Sequence, residues 1–324
     1  MAIRTVGMMS PGEMGHALGL VLRQGGLRVI TCLRGRSPRT AALAAKAAIE
    51  DVADDATLVR EADLLLSVLV PAQAKRLAER VAAAVRESGA GLLFAECNAI
   101  APQSVREIGE IITASGAGFV DAGIIGGPPP AVRQHPGQQG PRIYASGEHA
   151  AELAQLREHG LDVRVMGPEI GQASGLKMCY AALTKGLTAL ATELLVAGQA
   201  MGLDQALRAE LRLSQRTLLD WIERQVPGMP PKAHRWVGEM EEIAATFGAL
   251  GLTPRMLEGA AALYRFVAKT SLGAETPENR RRGQTLDDVV AILTAALGDA
   301  PGSGEPAVQP ARAGSGARLL EGPE

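Results

Sequence analysis

Short aliphatic runs alternate with alanine-rich stretches of helical periodicity through the first half of the chain. The runs predict strands at residues 3–8, 27–33, 63–69, 91–96 and 118–121, and the stretches between them predict helices at residues 12–24, 37–47, 71–87 and 102–115. Regular β-α-β alternation is typical of a parallel sheet with helices on both faces. Right-handed crossovers place the carboxyl ends of the strands at one edge, where ligands bind. The pattern predicts the α/β class, with a Rossmann-type doubly wound parallel sheet.

The second half of the chain is predicted to be helical. After a proline-rich loop, residues 142–146 and 162–165 predict two more strands, with a helix at 148–159 between them. Further on, the periodicity predicts helices at residues 171–201, 204–225, 233–250, 254–270 and 286–297. The last 26 residues hold nine glycines or prolines, which is typical of disorder. We predict a Rossmann domain at 1–167, an all-α domain at 168–298 and a disordered tail at 299–324.

Charge balance and cysteine content argue against several classes of protein. The 33 Lys and Arg residues face 35 Asp and Glu residues, whereas a nucleic-acid-binding domain is strongly basic. Cys32, Cys97 and Cys179 are far apart and lack metal-ligand spacing, so we expect neither a disulfide framework nor a metal site. The longest aliphatic run, residues 64–70, is shorter than the roughly 20 residues that cross a bilayer, and the N-terminus lacks a signal-peptide layout. We expect a cytoplasmic protein without nucleic-acid or membrane partners.

The turn after the first predicted strand has the composition of a dinucleotide-binding turn. It reads Ser10-Pro11-Gly12-Glu13-Met14-Gly15, in which Ser10 replaces the first glycine of the G-x-G-x-x-G fingerprint. Gly12 lets a pyrophosphate approach the backbone, Gly15 lets helix and strand pack closely, and the helix N-terminus attracts an anion. The alternative is an ordinary strand-to-helix turn. We expect residues 10–14 to bind the cofactor, together with Leu69 and Val70 at the end of the third predicted strand.

Basic residues at the end of the second predicted strand favour NADP over NAD. Arg34, Arg36 and Ser37 stand where an NAD-binding fold places a carboxylate for the ribose 2′-hydroxyl, and no carboxylate occurs between Glu13 and Glu50. Guanidinium groups bind phosphate through charged, planar donors. We therefore expect a preference for NADPH over NADH, against the alternative of a solvated basic loop.

Four segments together resemble the β-hydroxyacid dehydrogenase family, which includes 6-phosphogluconate dehydrogenase and, more distantly, the imine reductases. They are residues 10–15, residues 96–102 (ECNAIAP), residues 121–127 (DAGIIGG) and residues 171–177 (GQASGLK). Residues 214–270 resemble a small helical C-terminal domain found in poorly characterised members of this group. The resemblance implies hydride transfer at a nicotinamide and a cleft completed by a second subunit.

The resemblance also implies roles for individual residues. Lys177 matches the family's general acid/base, Asn98 matches a substrate-contacting Ser or Thr, and Gly126 and Gly127 match the substrate-binding landmark. Ile125 replaces the serine that holds the substrate carboxylate, and Ala181 replaces an asparagine one turn after the lysine. The usual 3-hydroxyacid substrates are therefore in doubt, and we expect a substrate that is less polar at that end or is held differently.

Helical periodicity places Lys177, Tyr180 and Thr184 on one face of the long helix, with Lys185 at its margin. Desolvation would lower the pKa of Lys177, as proton transfer near neutral pH requires, although a snorkelling surface lysine has the same pattern. Tyr180 is an alternative proton donor, and Thr184 and Lys185 are candidate substrate contacts. On a later helix, Glu239 and Glu242 either line the site or face solvent.

The sequence supports three functions. The leading one is an NADPH-dependent oxidoreductase acting on a small hydroxy- or oxo-acid or a related carbonyl compound. The alternatives are an imine reductase and a catalytically decayed NADPH-binding regulatory protein. Apolar residues occur on more than one side of the long helix (Leu183, Leu187, Leu190, Leu194 and Leu195), so we expect a homodimer that buries the helical domains against each other.

Overall fold

A computed structural model describes residues 2–130 and 140–298. The predicted disordered tail, residues 299–324, and part of the proline-rich loop lie outside the described residues. Eight strands form one sheet: β1 (Thr5–Met9), β2 (Arg28–Thr31), β3 (Glu50–Asp51), β4 (Leu64–Ser67), β5 (Leu93–Glu96), β6 (Gly118–Ile125), β7 (Arg142–Ser146) and β8 (Asp162–Gly167). Their spatial order is β3-β2-β1-β4-β5-β6-β7-β8. The order reverses between β1 and β4, so the ligand crevice of a doubly wound sheet lies at their carboxyl ends.

The predicted doubly wound sheet is confirmed, with two differences. β7 runs antiparallel to β6, whereas the other neighbouring strands are parallel. β3 and the helix α3 (Asp55–Glu61) are also present, and the sequence pattern predicts neither of them. β3 has two residues, both exposed, so it has no aliphatic run by which a buried parallel strand is recognised.

Helices cover both faces of the sheet, so successive strand residues are buried on opposite faces. Leu64 and Leu66 pack in one apolar cluster, and Leu65 between them packs in another. The helices in this half are α1 (Glu13–Gln24), α2 (Pro38–Lys46), α3, α4 (Ala74–Ser88), α5 (Pro102–Thr113) and α6 (Ala150–Leu153). Burial of both faces explains the continuous apolar runs in the sequence.

The second half is helical, as predicted, and has its own apolar cluster. Its helices are α7 (Gln172–Ala200), α8 (Asp204–Ser214), α9 (Arg216–Gln225), α10 (Ala233–Ala249), α11 (Arg255–Lys269) and α12 (Leu286–Leu297). The single helix predicted at 204–225 is interrupted at Gln215, where the backbone leaves the helical conformation. α7 packs against β6 at its start and against α10, α11 and α12 further on, so it joins the two halves.

Helix α7 is long and apolar enough to cross a membrane by length and composition, with a mean hydropathy of 1.2. The core helix of a globular protein has the same properties, and 44% of the most apolar window is buried inside this chain. The contacts of α7 with β6, α10 and α11 assign it to the packed core.

Candidate active site

The glycine turn between β1 and α1 has open space at one glycine and tight packing at the next. A Cβ atom on Gly12 would meet no atom within 4 Å, whereas a Cβ on Gly15 would lie 2.5 Å from the carbonyl oxygen of Ser10. Among the described residues, no side chain caps the N-terminus of α1, so its first N–H groups have no side-chain acceptor. Both observations fit the cradle of a dinucleotide pyrophosphate.

The basic loop after β2 carries two guanidinium groups that could bind an anion. Among the described residues, Arg34 is exposed, Arg36 is half-buried, and neither forms a hydrogen bond or ion pair through its side chain. Burial and the nearby Arg80 lower the pKa of Arg36. An anion at this position would offset both effects. Ser37 caps α2, since its hydroxyl oxygen accepts a hydrogen bond of 3.2 Å from the backbone N–H of Thr40.

A buried polar network fixes Asn98 at the carboxyl ends of β4 and β5. The side-chain amide of Asn98 donates to the hydroxyl of Ser67 at 2.9 Å, and its oxygen accepts from the N–H of Leu69 at 2.5 Å. Ser67 in turn donates to Glu96 at 2.9 Å. Burial raises the pKa of Glu96 to about 8. Leu69 and the exposed Val70 follow directly, beside the crevice.

Asp121 on β6 anchors the first turn of α7. Its Oδ2 accepts hydrogen bonds from the N–H of Gly171 at 2.8 Å, from the N–H and hydroxyl of Ser174 at 3.2 Å each, and from the hydroxyl of Ser146 at 3.0 Å. Its Oδ1 is buried without a partner among the described residues. Desolvation accordingly raises the pKa of Asp121. The sequence analysis gave this aspartate no role.

Lys177 lies one turn further along α7 and faces β6. A Cβ atom on Gly123 would lie 2.7 Å from the carbonyl oxygen of Ala173 and 3.2 Å from Cβ of Lys177, so Gly123 allows helix and strand to approach closely. The ammonium group of the half-buried Lys177 donates to the backbone carbonyl of Ile124. Burial, reinforced by the positive charges of Lys185 and Arg235, lowers the pKa of Lys177 to about 8. A lysine with this pKa can both give and take a proton near neutral pH.

The other predicted residues of α7 have distinct environments. Tyr180 is 45% exposed, and Thr184 donates its hydroxyl hydrogen to the carbonyl of Tyr180 within the helix at 3.2 Å. Lys185 is buried and donates to Glu239 of α10. Ala181 is buried.

At the end of β6 the structure places apolar and glycine residues. Ile125 is 3% exposed and packs as an apolar side chain. Gly126 adopts a left-handed backbone with φ of +122°, and Gly127 is open to solvent. These three described residues therefore offer no side-chain donor to a substrate.

Helix α10 contributes charged residues, of which Glu239 and Glu242 are predicted either to line the site or to face solvent, while Arg235 has no predicted role. Glu239 is buried and bound to Lys185, and Glu242 accepts a hydrogen bond of 2.7 Å from the N–H of Ala101 at the start of α5. Arg235 lies 3.4 Å from both Glu239 and Glu13. Their spacing of three or four residues on one helix face was the available signal. These contacts bring α10 against the glycine turn, so the side chain of Glu13 faces α10.

The glycine cradle, the switch point of the sheet and the basic loop define a dinucleotide-binding protein of the Rossmann type. Comparison with known families makes this more specific. Residues 5–157 match the NAD binding domain of 6-phosphogluconate dehydrogenase, and residues 199–267 match DUF1932, a domain of unknown function. The first match covers the strands from β1 to β7, and the second lies within the helical half of the chain.

Relatives cover most of the chain. An uncharacterized 28.5 kDa protein of Methanothermus fervidus is 25% identical over 263 residues, covering 81% of this chain and 98% of that protein. A conserved protein of unknown function, described as structurally similar to 3-hydroxyacid dehydrogenases, is 29% identical with a TM-score of 0.60, covering 82% of this chain and 96% of the other. The 3-hydroxyisobutyrate dehydrogenase of Mycobacterium tuberculosis, solved with L-serine, shares the fold at 18% identity with a TM-score of 0.63, covering 91% of this chain and 99% of the other.

Proposed function

We propose that the protein is an NADPH-dependent oxidoreductase that interconverts a small hydroxy acid and the corresponding oxo acid, with Lys177 as the acid/base. The observation that carries the proposal is the position of Lys177, half-buried between α7 and β6 with its pKa lowered to about 8. The nicotinamide supplies or accepts the hydride when bound. The match to the NAD binding domain of 6-phosphogluconate dehydrogenase and the likeness to dehydrogenase folds support this assignment.

Different residues of this chain would bind the cofactor and transfer the proton. Gly12 and the uncapped N-terminus of α1 would hold the pyrophosphate, and Arg34 and Arg36 would hold the adenosine 2′-phosphate. The ammonium form of Lys177 would protonate the oxygen of an oxo acid during reduction, and the neutral amine would remove the hydroxyl proton during oxidation. Asn98 presents an amide held rigidly by Ser67 and Leu69, beside the crevice.

An imine reductase is the second candidate, because Ile125 and Ala181 provide none of the polar anchors that a hydroxy acid uses at that end of the site. A panel assay separates the possibilities. Purified protein is assayed with NADPH against oxo acids and cyclic imines, and with NADP against hydroxy acids. Turnover of oxo and hydroxy acids supports the proposal, and turnover of imines alone favours the second candidate. Tight NADPH binding without turnover of any compound would indicate a decayed site in a regulatory protein.

We also propose that the protein is a homodimer formed through α7. Tyr180, Leu183 and Leu190 are 45%, 65% and 58% exposed, and the half-buried Leu187 lies between the two leucines. Their spacing of three and four residues forms one continuous apolar stripe, which is the pattern of a helix that packs on a partner. A second copy of the chain is the partner that the symmetry of most soluble oligomers favours.

A further inference from the structure

The proposed substrate carries an acid group, and residues 125–127 at the end of β6, within the described part of the chain, have no polar side chain to bind it. Ile125 is buried and apolar, Ala181 is buried on α7, and Gly126 and Gly127 have no side chains. A carboxylate moved from water into such surroundings is strongly destabilised unless a cation or several donors compensate it. Among the described residues, a cation on another element around Lys177 could supply the donors that an acid group needs.

Arg235 on α10 is a cation of this region with unused hydrogen-bond donors. A guanidinium has five N–H donors. Among the described residues, the one hydrogen bond that Arg235 donates goes from Nη1 to Glu13, at a long 3.4 Å. Its Nε is buried without a hydrogen-bond partner, although Glu239 lies 3.4 Å away. The side chain is 32% exposed, so a ligand can reach it.

Each of the two carboxylates beside Arg235 is shared with a lysine. Glu239 is bound to Lys185, whose ammonium group also lies 5.5 Å from the ring centre of Trp236. Glu13 is shared with Lys232, 3.9 Å away. The charged groups that act on Lys177 are Lys185 and Arg235 on the positive side and Glu239 on the negative side. The surroundings of Lys177 thus carry an excess of positive charge that an anion would balance.

We propose that Arg235, supplied by the helical half, binds the carboxylate of the substrate while Lys177 acts on its hydroxyl or carbonyl oxygen. The substrate class is then a hydroxy or oxo acid that is held from α10 and not from β6. This assignment rests on the proposed function and makes Arg235 the specificity-determining residue. A carboxylate accepts two parallel hydrogen bonds from a planar guanidinium. A neutral amide has only one acceptor oxygen, and an ammonium group has none, so the guanidinium selects the carboxylate.

The diphosphate of the cofactor is the other anion that could reach Arg235, because Glu13 belongs to the glycine turn. Binding measurements without turnover distinguish the two sources. Oxamate and acetate, and the neutral acetamide, are titrated by NMR line broadening into protein saturated with NADPH, and NADPH affinity is measured separately by fluorescence. The variants are Arg235→Gln and Arg235→Lys. Arg265→Gln, at an exposed arginine of α11 paired with Glu241, is the matched control.

We expect the wild type and Arg265→Gln to bind oxamate and acetate but not acetamide. Arg235→Gln should weaken carboxylate binding by about 10- to 100-fold, the range for hydrogen bonds to a charged group, with NADPH affinity changed by less than about threefold. Arg235→Lys should retain part of the affinity, and thermal melting verifies that each variant is folded.

Three results would overturn the assignment. The first is that the wild type binds no carboxylate, and the second is that the wild type and both Arg235 variants bind carboxylates equally. The third is a loss of NADPH affinity alone, which would show that Arg235 binds the cofactor. If the carboxylates bind through Arg235 but no acid is turned over, the proposed function fails and the anion site stands.

Discussion

Asp121 holds Ser174 by two hydrogen bonds of 3.2 Å, one from the backbone N–H and one from the hydroxyl of the serine. Ser174 lies three residues before Lys177, so the carboxyl group on the sheet sets the position of the proposed proton-transfer residue on the helix. The two carboxyls Glu96 and Asp121 are direct neighbours in the register of β5 and β6. One of them orders the asparagine of the site, and the other orders the lysine.

Replacing Asp121 by Ala should lower both stability and turnover. The buried N–H groups of Gly171 and Ser174 would lose their acceptor, at a cost of about 1–3 kcal/mol. Chemical denaturation measures the stability, and steady-state kinetics should show a larger fall in kcat than in NADPH affinity. Asp121→Asn keeps an acceptor oxygen and should recover most of the turnover. A failure of Asn to recover any turnover in a folded protein would show that Asp121 does more than position α7.

Lys177 should give the reaction a pH dependence with an inflection near 8, the value to which its pKa is lowered. Below this pH the ammonium form predominates, so reduction is favoured at low pH and should decline as the pH rises through 8. Oxidation needs the neutral amine and should increase over the same interval. Rates measured in both directions from pH 6 to 10 check the opposite slopes.

Removing the amine tests the same residue independently of pH. Lys177→Ala should lower turnover by about 10²- to 10⁴-fold, the usual contribution of general acid/base catalysis, and leave NADPH affinity nearly unchanged. Lys75→Ala, at an exposed lysine paired with Glu107 on the outer surface, removes the same charge and should not affect turnover. Unimpaired turnover of the Lys177 variant would shift the role to Tyr180.

Much of the fold can be predicted from local sequence patterns, whereas the side-chain contacts that build the site cannot. The aliphatic runs and Gly12-Glu13-Met14-Gly15 predict the sheet and its crevice, because burial on both faces and close helix packing leave a periodic signal. The strand β3 has no such signal. The contacts of Arg235 with Glu13 and of Glu242 with Ala101 join residues more than 100 positions apart, and spacing along the chain carries no information about them.

Gly12 and Gly15 should respond differently to the same substitution. Gly15→Ala would place a methyl group 2.5 Å from the carbonyl oxygen of Ser10 and should destabilise the fold by about 1–3 kcal/mol. Gly12→Ala meets open space at an allowed backbone conformation, so stability should change by less than about 1 kcal/mol. The new methyl group would occupy the pyrophosphate cradle, and we expect NADPH affinity to fall at least about tenfold. Thermal melting and fluorescence titration separate the two effects. Unchanged NADPH affinity in a folded Gly12→Ala variant would place the cofactor elsewhere.

The basic loop should decide between the two nicotinamide cofactors. Arg34→Ala and Arg36→Ala each remove a guanidinium that has no protein partner among the described residues, so the fold should be little affected. Each should weaken NADPH binding by about 10- to 100-fold, as expected for a lost charged hydrogen bond, and leave NADH binding unchanged. Arg86→Ala, at an exposed position in the last turn of α4, is the control for net charge. Equal or tighter binding of NADH by the wild type would contradict the assignment of this loop.

The apolar stripe on α7 should control the oligomeric state. Leu183→Glu and Leu190→Glu together put two carboxylates into the proposed interface, where each would be desolvated without a partner, so the dimer should dissociate to monomers at micromolar concentration. Leu213→Glu changes a leucine of α8 that is 83% exposed, and it should leave the dimer intact. Light scattering measures the mass, and activity assays of the same fractions test whether the second subunit completes the cleft. A wild-type protein that is monomeric and fully active would refute the proposed dimer, and a monomeric double variant that keeps full activity would confine the role of the interface to assembly.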